Sequence, residues 1–309
     1  MTEPWRKLGL VLEASGGPLS RSHAMLPTPH VMTDRVRVFY ASCDAEMRGR
    51  VFSADFEPEP PFHLMVRSRD PVLDVGPDGA FDCDGANPSQ AVEVDGRLAL
   101  LYIGWRRGPP DEPYTLFGAL AFSDDQGESF ERTDAPLFAP RPGERLFRTA
   151  PFLERRPDGY RLLYIGGDAF VTMETGRRAP VYSLMELTSS EVWGWEGPPK
   201  VLMAPDLAQG EIGFGRPVAF TTTEGVRRLM MSVRTREGYR LVEMARDFDP
   251  RRRPPTQDVI PTPLDSWEQQ MTCFGALCVA GAYELLFYNG DGYGRTGTGL
   301  AWRPAGLGR

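Results

Sequence analysis

"RLALLYIGW" (97–105) is a run of apolar residues that opens on an arginine, and versions of it recur along the chain. The copies are "RVRVFYAS" (35–42), "YRLLYIGG" (160–167), "RRLMMSVR" (227–234) and "YELLFYNG" (283–290). Setting Tyr40, Tyr102, Tyr164, Ser232 and Tyr288 in register gives intervals of 62, 62, 68 and 56 residues. A period of this kind is the mark of a repeat architecture, here five units.

Each copy has strand-like neighbours. A short strand precedes it, usually opened by a proline: "HAMLPTPHVM", "GANPSQAVEV", "RTAPFLERR", "GRPVAFTTT" and, without proline, "CFGALCVAG". A third strand follows: "GRVFSADF", "LFGALAFSDD", "VYSLMELTSS", "YRLVEMARDF" and "GTGLAWRP". The pieces "PVLDV", "PLFAP", "KVLMA" and "DVIPT" supply a fourth before each new unit. Four strands in each of five units predict an all-β, five-bladed β-propeller with four antiparallel strands per blade. The last unit runs out near Trp302, and "WRKLGLVLE" (5–13) is a spare strand expected to complete it, closing the ring. No amphipathic helical pattern separates the strands, which disfavours a doubly wound α/β fold. A single domain over 1–309 is expected.

Composition narrows the function classes. The 309 residues carry 41% hydrophobic and 25% charged residues and a net charge of −7, ordinary values for a globular protein. No apolar run approaches the roughly 20 residues of a membrane helix. The N-terminus lacks a basic flank leading into an apolar segment and a cleavage site, so a cytoplasmic protein is expected. An acidic chain without a basic stripe argues against nucleic-acid binding; "RDFDPRRRPP" (246–255) reads as a solvated loop. Cys43, Cys83, Cys273 and Cys278 form no CxxC pair and only three histidines are present, so a zinc site is not expected and the thiols read as buried and free.

In a four-stranded blade, the start of the inner strand and the loop between the second and third strands lie on one face. The funnel mouth is therefore read as Ser22 and His23, then Asp82, Asp84 and Asn87, then Arg148 and Thr149, then Glu211 and Arg216, then Asp265, Glu268 and Met271. The rim is read as "SCDAEMRGR", "WRRGPPDEPY", "GDAFVTMETGRRA", "RTREG" and "GDGYGRTG". Pointing charged groups at a shared axis is costly unless they pair or serve a ligand. For Asp82 and Asp84 an Asx-turn at a strand start is the plainer alternative.

"FDCDGANPS", "GEIGFGRPV", "DSWEQQM" and "YNGDGYGRTGTGLA" together resemble the five-bladed propellers of glycoside hydrolase families 43 and 32, in particular bacterial relatives found with glycan-assembly genes. The resemblance spans about Trp5 to Trp302 and implies glycosidic-bond chemistry in the axial funnel. It also implies an Asp, an Asp and a Glu in the first three blades, where this chain has Leu26, Asn87 and Ala150. Glycoside cleavage needs one carboxyl group to protonate the leaving oxygen and another to activate water or attack carbon. Asp84, Glu211 and Glu268 are the candidates here, with Glu211 as acid or base, Asp84 as its partner and Glu268 in reserve.

Arg148 and Arg216 suggest an anionic or nucleotide-linked sugar, since guanidinium groups take phosphate or carboxylate bidentately; the plainer alternative is that each pairs with a neighbouring acid. His23, Asp82 and Asn87 are candidate contacts to sugar hydroxyls, and Trp105 and Tyr293 candidate stacking platforms. "GDGYGRTGTG" (290–299) lacks the Lys and the following helix of a phosphate-binding P-loop and reads as a glycine-rich return on the funnel side. Asn289, Asp291 and Arg295 are its candidate ligand contacts. The expected function is cleavage or transfer of a glycosidic bond on a small-molecule sugar or nucleotide sugar. The alternatives are a non-catalytic sugar-binding propeller and an interaction platform. No cofactor is expected, although an axial calcium or other hard cation held by Asp82, Asp84 or Glu268 stays open. No nucleic-acid or membrane partner is expected, and the oligomeric state is left open.

Overall fold

The computed structural model describes residues 3–222, 225–261 and 264–305. Thr223 and Thr262, the last residues of two expected strands, and both ends of the 1–309 span fall outside these.

The described chain is nearly all β. It begins with β1 (Arg6–Leu12) and continues into five antiparallel groups. The first holds β2 (Ser22–Val31), β3 (Val36–Cys43), β4 (Gly49–Phe56) and β5 (Leu64–Arg67). The second holds β6 (Gly85–Val94), β7 (Arg97–Arg107), β8 (Tyr114–Ser123) and β9 (Glu131–Arg132). The third holds β10 (Phe147–Arg156), β11 (Gly159–Thr172), β12 (Arg178–Ser189) and β13 (Lys200–Met203). The fourth holds β14 (Glu211–Thr221), β15 (Arg227–Thr235), β16 (Tyr239–Ala245) and β17 (Gln257–Asp258). The fifth holds β18 (Cys273–Ala280), β19 (Tyr283–Asn289) and β20 (Thr298–Pro304), and β1 pairs antiparallel with β20. Short parallel contacts, Gly49 with Gly85 and Phe147 with Leu116, join the first three groups into one sheet.

The recurring apolar run is the second strand of every group, because it packs on both faces; its buried charges, such as Arg37 and Glu284, are paired, with Asp55 and Arg303. Tyr40, Tyr102, Tyr164 and Tyr288 are all essentially inaccessible. In the fourth group the register corrects the sequence alignment. Ser232 pairs with Gly215 just before a bulge, as Ile165 pairs with Thr149 and Asn289 with Cys273, so Met231 and not Ser232 stands in line with the tyrosines.

Two outer strands also differ from expectation. In the first two groups they are Leu64–Arg67 and Glu131–Arg132 and come earlier than "PVLDV" and "PLFAP". Those two pieces are extended crossings to the next group. They carry Leu73 and Phe138 into the core between groups, and Leu73 keeps a single bridge to Val51.

Every first strand is broken near its start by a register shift. The residues at the break are Leu26, Ala150, Arg216 and Phe274, with φ of 56°, 49°, 40° and 52°, and Pro88 occupies the equivalent place in β6. Four non-glycine residues in the left-handed region at one repeated place are backbone strain concentrated where the first strands converge. Polar residues on the second strands hold this geometry. Asn289 accepts the amide N–H of Leu26 at 2.7 Å, and Ser232 accepts that of Phe274 at 2.8 Å, each reaching from one group to the break of the next.

Candidate functional site

The five breaks open into a cavity of about 670 Å³. Met25, Leu26, Asn87, Thr149, Ala150, Gly215, Arg216 and Phe274 form its floor, so the three positions the resemblance assigns to carboxylates hold Leu26, Asn87 and Ala150 on the cavity wall. The upper wall comes from the ends of the second strands and the loops after them. These bring in Trp105 and Arg107, Tyr114, Arg177 and Arg178, Arg234 and Tyr239, and Tyr293.

The charge of the lining is one-sided. Among the described residues, five arginines, Arg107, Arg177, Arg178, Arg216 and Arg234, face a single carboxylate, Asp84. Arg107 is the one that meets it: its backbone N–H donates to Asp84 Oδ2 at 2.9 Å and its guanidinium lies 3.5 Å from Oδ1. Among the described residues, the other four have no carboxylate within ion-pair distance. Arg177 donates instead to the Tyr293 hydroxyl at 2.7 Å, and Arg178 to Thr172 Oγ1 at 3.0 Å. Arg234 is buried and stacks on Tyr239, 5.5 Å from its ring centroid.

Arg216 is 2% exposed and reaches across the floor from β14. Its Nη2 donates to Thr28 Oγ1 at 2.7 Å and to the Ser89 carbonyl at 3.0 Å, and its Nη1 donates to the Phe274 carbonyl at 3.0 Å. Burial pushes the guanidinium down to about 9, with no neighbouring negative charge to oppose the fall, so it is a cation at neutral pH. Its Nε has no hydrogen-bond partner, and neither do Thr149 Oγ1 and Asn87 Oδ1, on two other lining residues; all three atoms are themselves buried.

Aromatic rings make the remaining walls. Trp105 and Tyr114 lie 4.3 Å apart between centroids, and Tyr239 meets Tyr293 edge to face at 5.8 Å. Burial raises Tyr114, Tyr182 and Tyr239, which keeps their hydroxyls as neutral donors. His23 also lines the cavity, with φ of 66° and Nδ1 3.0 Å from Ser22 Oγ. Burial first, and then the charge of Arg295, lowers its imidazole, so it stays neutral.

Of the residues singled out in the sequence, Asp84, His23, Asn87, Trp105, Thr149, Arg216 and Tyr293 line this cavity. Glu211, Glu268, Asp82, Arg148, Asn289 and Asp291 do not, and each has a visible structural reason. Glu211 turns outward to Arg253 and accepts the Asp206 N–H at 3.0 Å. The loop read as solvated therefore anchors one of the expected catalytic acids. Glu268 is wholly buried against Lys7 and accepts the Asp265 N–H at 2.9 Å. Asp82 is wholly buried under the Tyr102 hydroxyl. Arg148 pairs with Glu144 at 2.8 Å and stacks on Phe138. Asn289 spends its amide on Leu26, Ala24, Gly297 and Thr298, and Asp291 accepts the N–H groups of Gln270 and Met271.

The glycine-rich return is a left-handed turn at Gly292 and Tyr293, and a Cβ on Gly294 would fall 2.8 Å from both Asn289 Nδ2 and Met25 Cβ. Among the described residues, no cluster of three or more His, Cys, Asp or Glu side chains is arranged to hold a metal. No described helix is long and apolar enough to cross a membrane.

The missed residues, Arg177, Arg178, Arg234, Tyr114, Tyr182 and Tyr239, sit on or beside the rim loops that the repeat pattern marks out. The signal available was position in the repeat, and not residue type.

No family model matches the chain. Two proteins of Mycobacterium tuberculosis, uncharacterized protein MT1551 and uncharacterized protein Rv1502, are 25% and 26% identical to it over 300 residues, covering 96% of this chain and 98% of theirs. Several solved structures share its fold. A putative glycoside hydrolase from Bacteroides ovatus superposes with a TM-score of 0.69 at 16% identity, covering 98% of this chain and 96% of that one. A thermostable family-43 glycoside hydrolase gives 0.62 at 14%, covering 92% and 90%. A member of the GH130 family, described as mannoside phosphorylases that include hydrolases of β-1,2 mannosidic linkages in Candida mannan, gives 0.63 at 15%, covering 94% and 87%. The fold is that of glycoside hydrolases of the family-43 type.

Proposed function

We propose that the five strand groups close as the blades of one five-bladed β-propeller, with β1 as the last blade's outer strand, and that the cavity on its axis acts on the glycosidic bond of an anionic or nucleotide-linked sugar. The observation behind this reading is the lining itself, in which, among the described residues, four guanidinium groups without a carboxylate partner surround aromatic platforms and one acid. Two of the four, Arg216 and Arg234, are buried, and a desolvated cation without a counter-charge costs stability that a ligand bringing the counter-charge recovers on binding.

Asp84 is the proton-handling residue of this reading. Its carboxyl group faces the cavity and donates a proton to the leaving oxygen as the bond to the sugar breaks. Among the described residues the lining offers no second carboxylate, so a pair acting on opposite sides of the sugar is not available from them. The attacking group is then water or an anionic co-substrate held by the arginines. Phosphate suits the second role, because it arrives already charged and needs no base, and phosphorylases are named in the family of one structural neighbour.

The single carboxylate also favours a second reading, a sugar-binding protein without turnover. Asp84→Asn separates the two, since the amide oxygen keeps the hydrogen bond from Arg107 while proton donation is lost. Assayed on aryl glycosides, aryl uronides and nucleotide sugars, with and without phosphate, the parent protein is expected to turn over one class. The variant should lose roughly 10²- to 10⁴-fold. Binding without turnover in both proteins would leave the second reading standing.

A further inference from the structure

The floor of the cavity presents mostly carbon. Met25, Leu26, Ile103, Ala150 and Phe274 line it, with Ile103 opposite Asn87 in the strand pairing. The polar atoms nearby are already withdrawn: Thr149 Oγ1, Asn87 Oδ1 and Arg216 Nε are shut off inside the fold, and both Arg216 Nη groups are bonded there. A hydroxyl lowered onto this floor finds neither of these oxygens open to take its proton, and a desolvated hydroxyl without a partner is costly. A methyl group has no such need.

The upper wall is the reverse. Arg177 is exposed and Arg178 half-buried, and their hydrogen bonds to Tyr293 and Thr172 use one Nη group each. Arg234 is buried beside the hydroxyls of Tyr239, Tyr182, Tyr293 and Tyr114, with no carboxylate in ion-pair distance among the described residues. All three arginines line the cavity.

We propose that the cavity takes a phosphate-linked sugar apolar edge first: a 6-deoxy or O-methyl sugar whose methyl group rests on the floor and whose anomeric phosphate is held at the upper wall by Arg177, Arg178 and Arg234. This rests on the reading of the cavity as an anionic-sugar site and adds which sugar edge and which anion. Three cations without a carboxylate partner suit a phosphate group, which carries about −1.5 to −2 at neutral pH, better than a single carboxylate. The division of the lining sets the direction of entry. Turned round, the phosphate would lie against Leu26, Ala150 and Phe274, beside an Arg216 whose Nη groups are already used.

The test is titration calorimetry of the full chain with rhamnose 1-phosphate, fucose 1-phosphate and 3-O-methylglucose 1-phosphate, each against its fully hydroxylated parent phosphate and against its methyl glycoside without phosphate. At least one methyl-bearing phosphate is expected to bind about tenfold tighter than its parent, the combined size of a buried methyl group and a hydroxyl left unpaired, and about tenfold tighter than its phosphate-free glycoside. Met25→Gln, similar in shape but polar, should bring parent and methyl-bearing phosphates within about threefold of each other. Arg177→Gln, at an exposed position, should weaken both by about tenfold. Thymidine-diphosphate rhamnose beside rhamnose 1-phosphate shows whether the phosphate belongs to a nucleotide, and tighter binding of either than of the phosphate-free glycoside supports the phosphate site. Parent phosphates binding as tightly as the methyl-bearing ones would overturn the apolar edge and keep the anionic-sugar reading. Phosphate-free glycosides binding as tightly as the phosphates, or no binding across the panel, would overturn both.

Discussion

The buried hydroxyl of Tyr102 donates to the carboxylate of Asp82, twenty residues upstream, at 2.9 Å. The same spacing joins Tyr164 to Glu144 at 2.9 Å in the next group, and Tyr288 faces the buried Glu268 in the last. Burial and the adjacent carboxylate push all three hydroxyls upward, so each remains a donor at any ordinary pH. These acids are parts of the repeat. Two of them, Asp82 and Glu268, look like funnel acids in the sequence because the repeat places them just ahead of the first strands.

Tyr102→Phe removes the hydroxyl and leaves a buried carboxylate with Arg132 as its remaining charged neighbour, 3.6 Å away. A loss of about 1 to 3 kcal/mol is expected, the penalty for an unsatisfied buried group. Urea denaturation checks it, and sugar binding should be unchanged because Asp82 does not line the cavity.

Lys7 ties the N-terminal strand to the fifth group through Glu268 and through Asp265 at 3.0 Å. Lys7→Met leaves the Glu268 charge buried beside Tyr288, and a loss of about 3 to 5 kcal/mol is expected, as for one half of a buried pair. Adding Glu268→Gln to that variant should restore most of the loss in the same denaturation experiment, since both charges are then gone.

The pH dependence of stability has a stated sign. Burial lowers both His23 and His30 below the ordinary 6.5. The unfolded chain then binds protons first as pH falls, so stability rises with pH through this region and declines below about 6.5. Melting temperatures between pH 7.5 and 5.5 should show the decline, and the double variant His23→Gln, His30→Gln should flatten it.

Trp105 stands against Tyr114 at the cavity wall, 4.3 Å between ring centroids. Trp105→Ala is expected to weaken binding by about tenfold, near the upper range of a single aromatic contact, and equally for charged and neutral sugars. Calorimetry against both classes separates this loss from one that follows charge.

The repeat was legible from residues 35–42, 97–105, 160–167 and 283–290 because a strand buried on both faces is mostly apolar along its length, which is a local property. The fourth copy misled by one place. Ser232 looks like the odd residue of the tyrosine position, but it is a staple equivalent to Asn289, and only strand pairing shows the shift. Asn289 and Asp291 attracted attention as polar residues near a glycine-rich return. Nothing in the sequence shows that the fold itself consumes their hydrogen-bonding groups.

The sequence by itself determined the all-β class, the five copies, the spare N-terminal strand and the loops from which a site is built, since each follows from residue periodicity and chain length. The tertiary structure decided which polar side chains face the axis. At each strand break an added residue changes the side on which the following side chains emerge, so alternation no longer predicts direction. The isolation of Arg216 depends on residues from four groups meeting at one point. Glu211, five positions away on the same strand, leaves the cavity for Arg253, and Arg216 lines it with no acid among the described residues to meet.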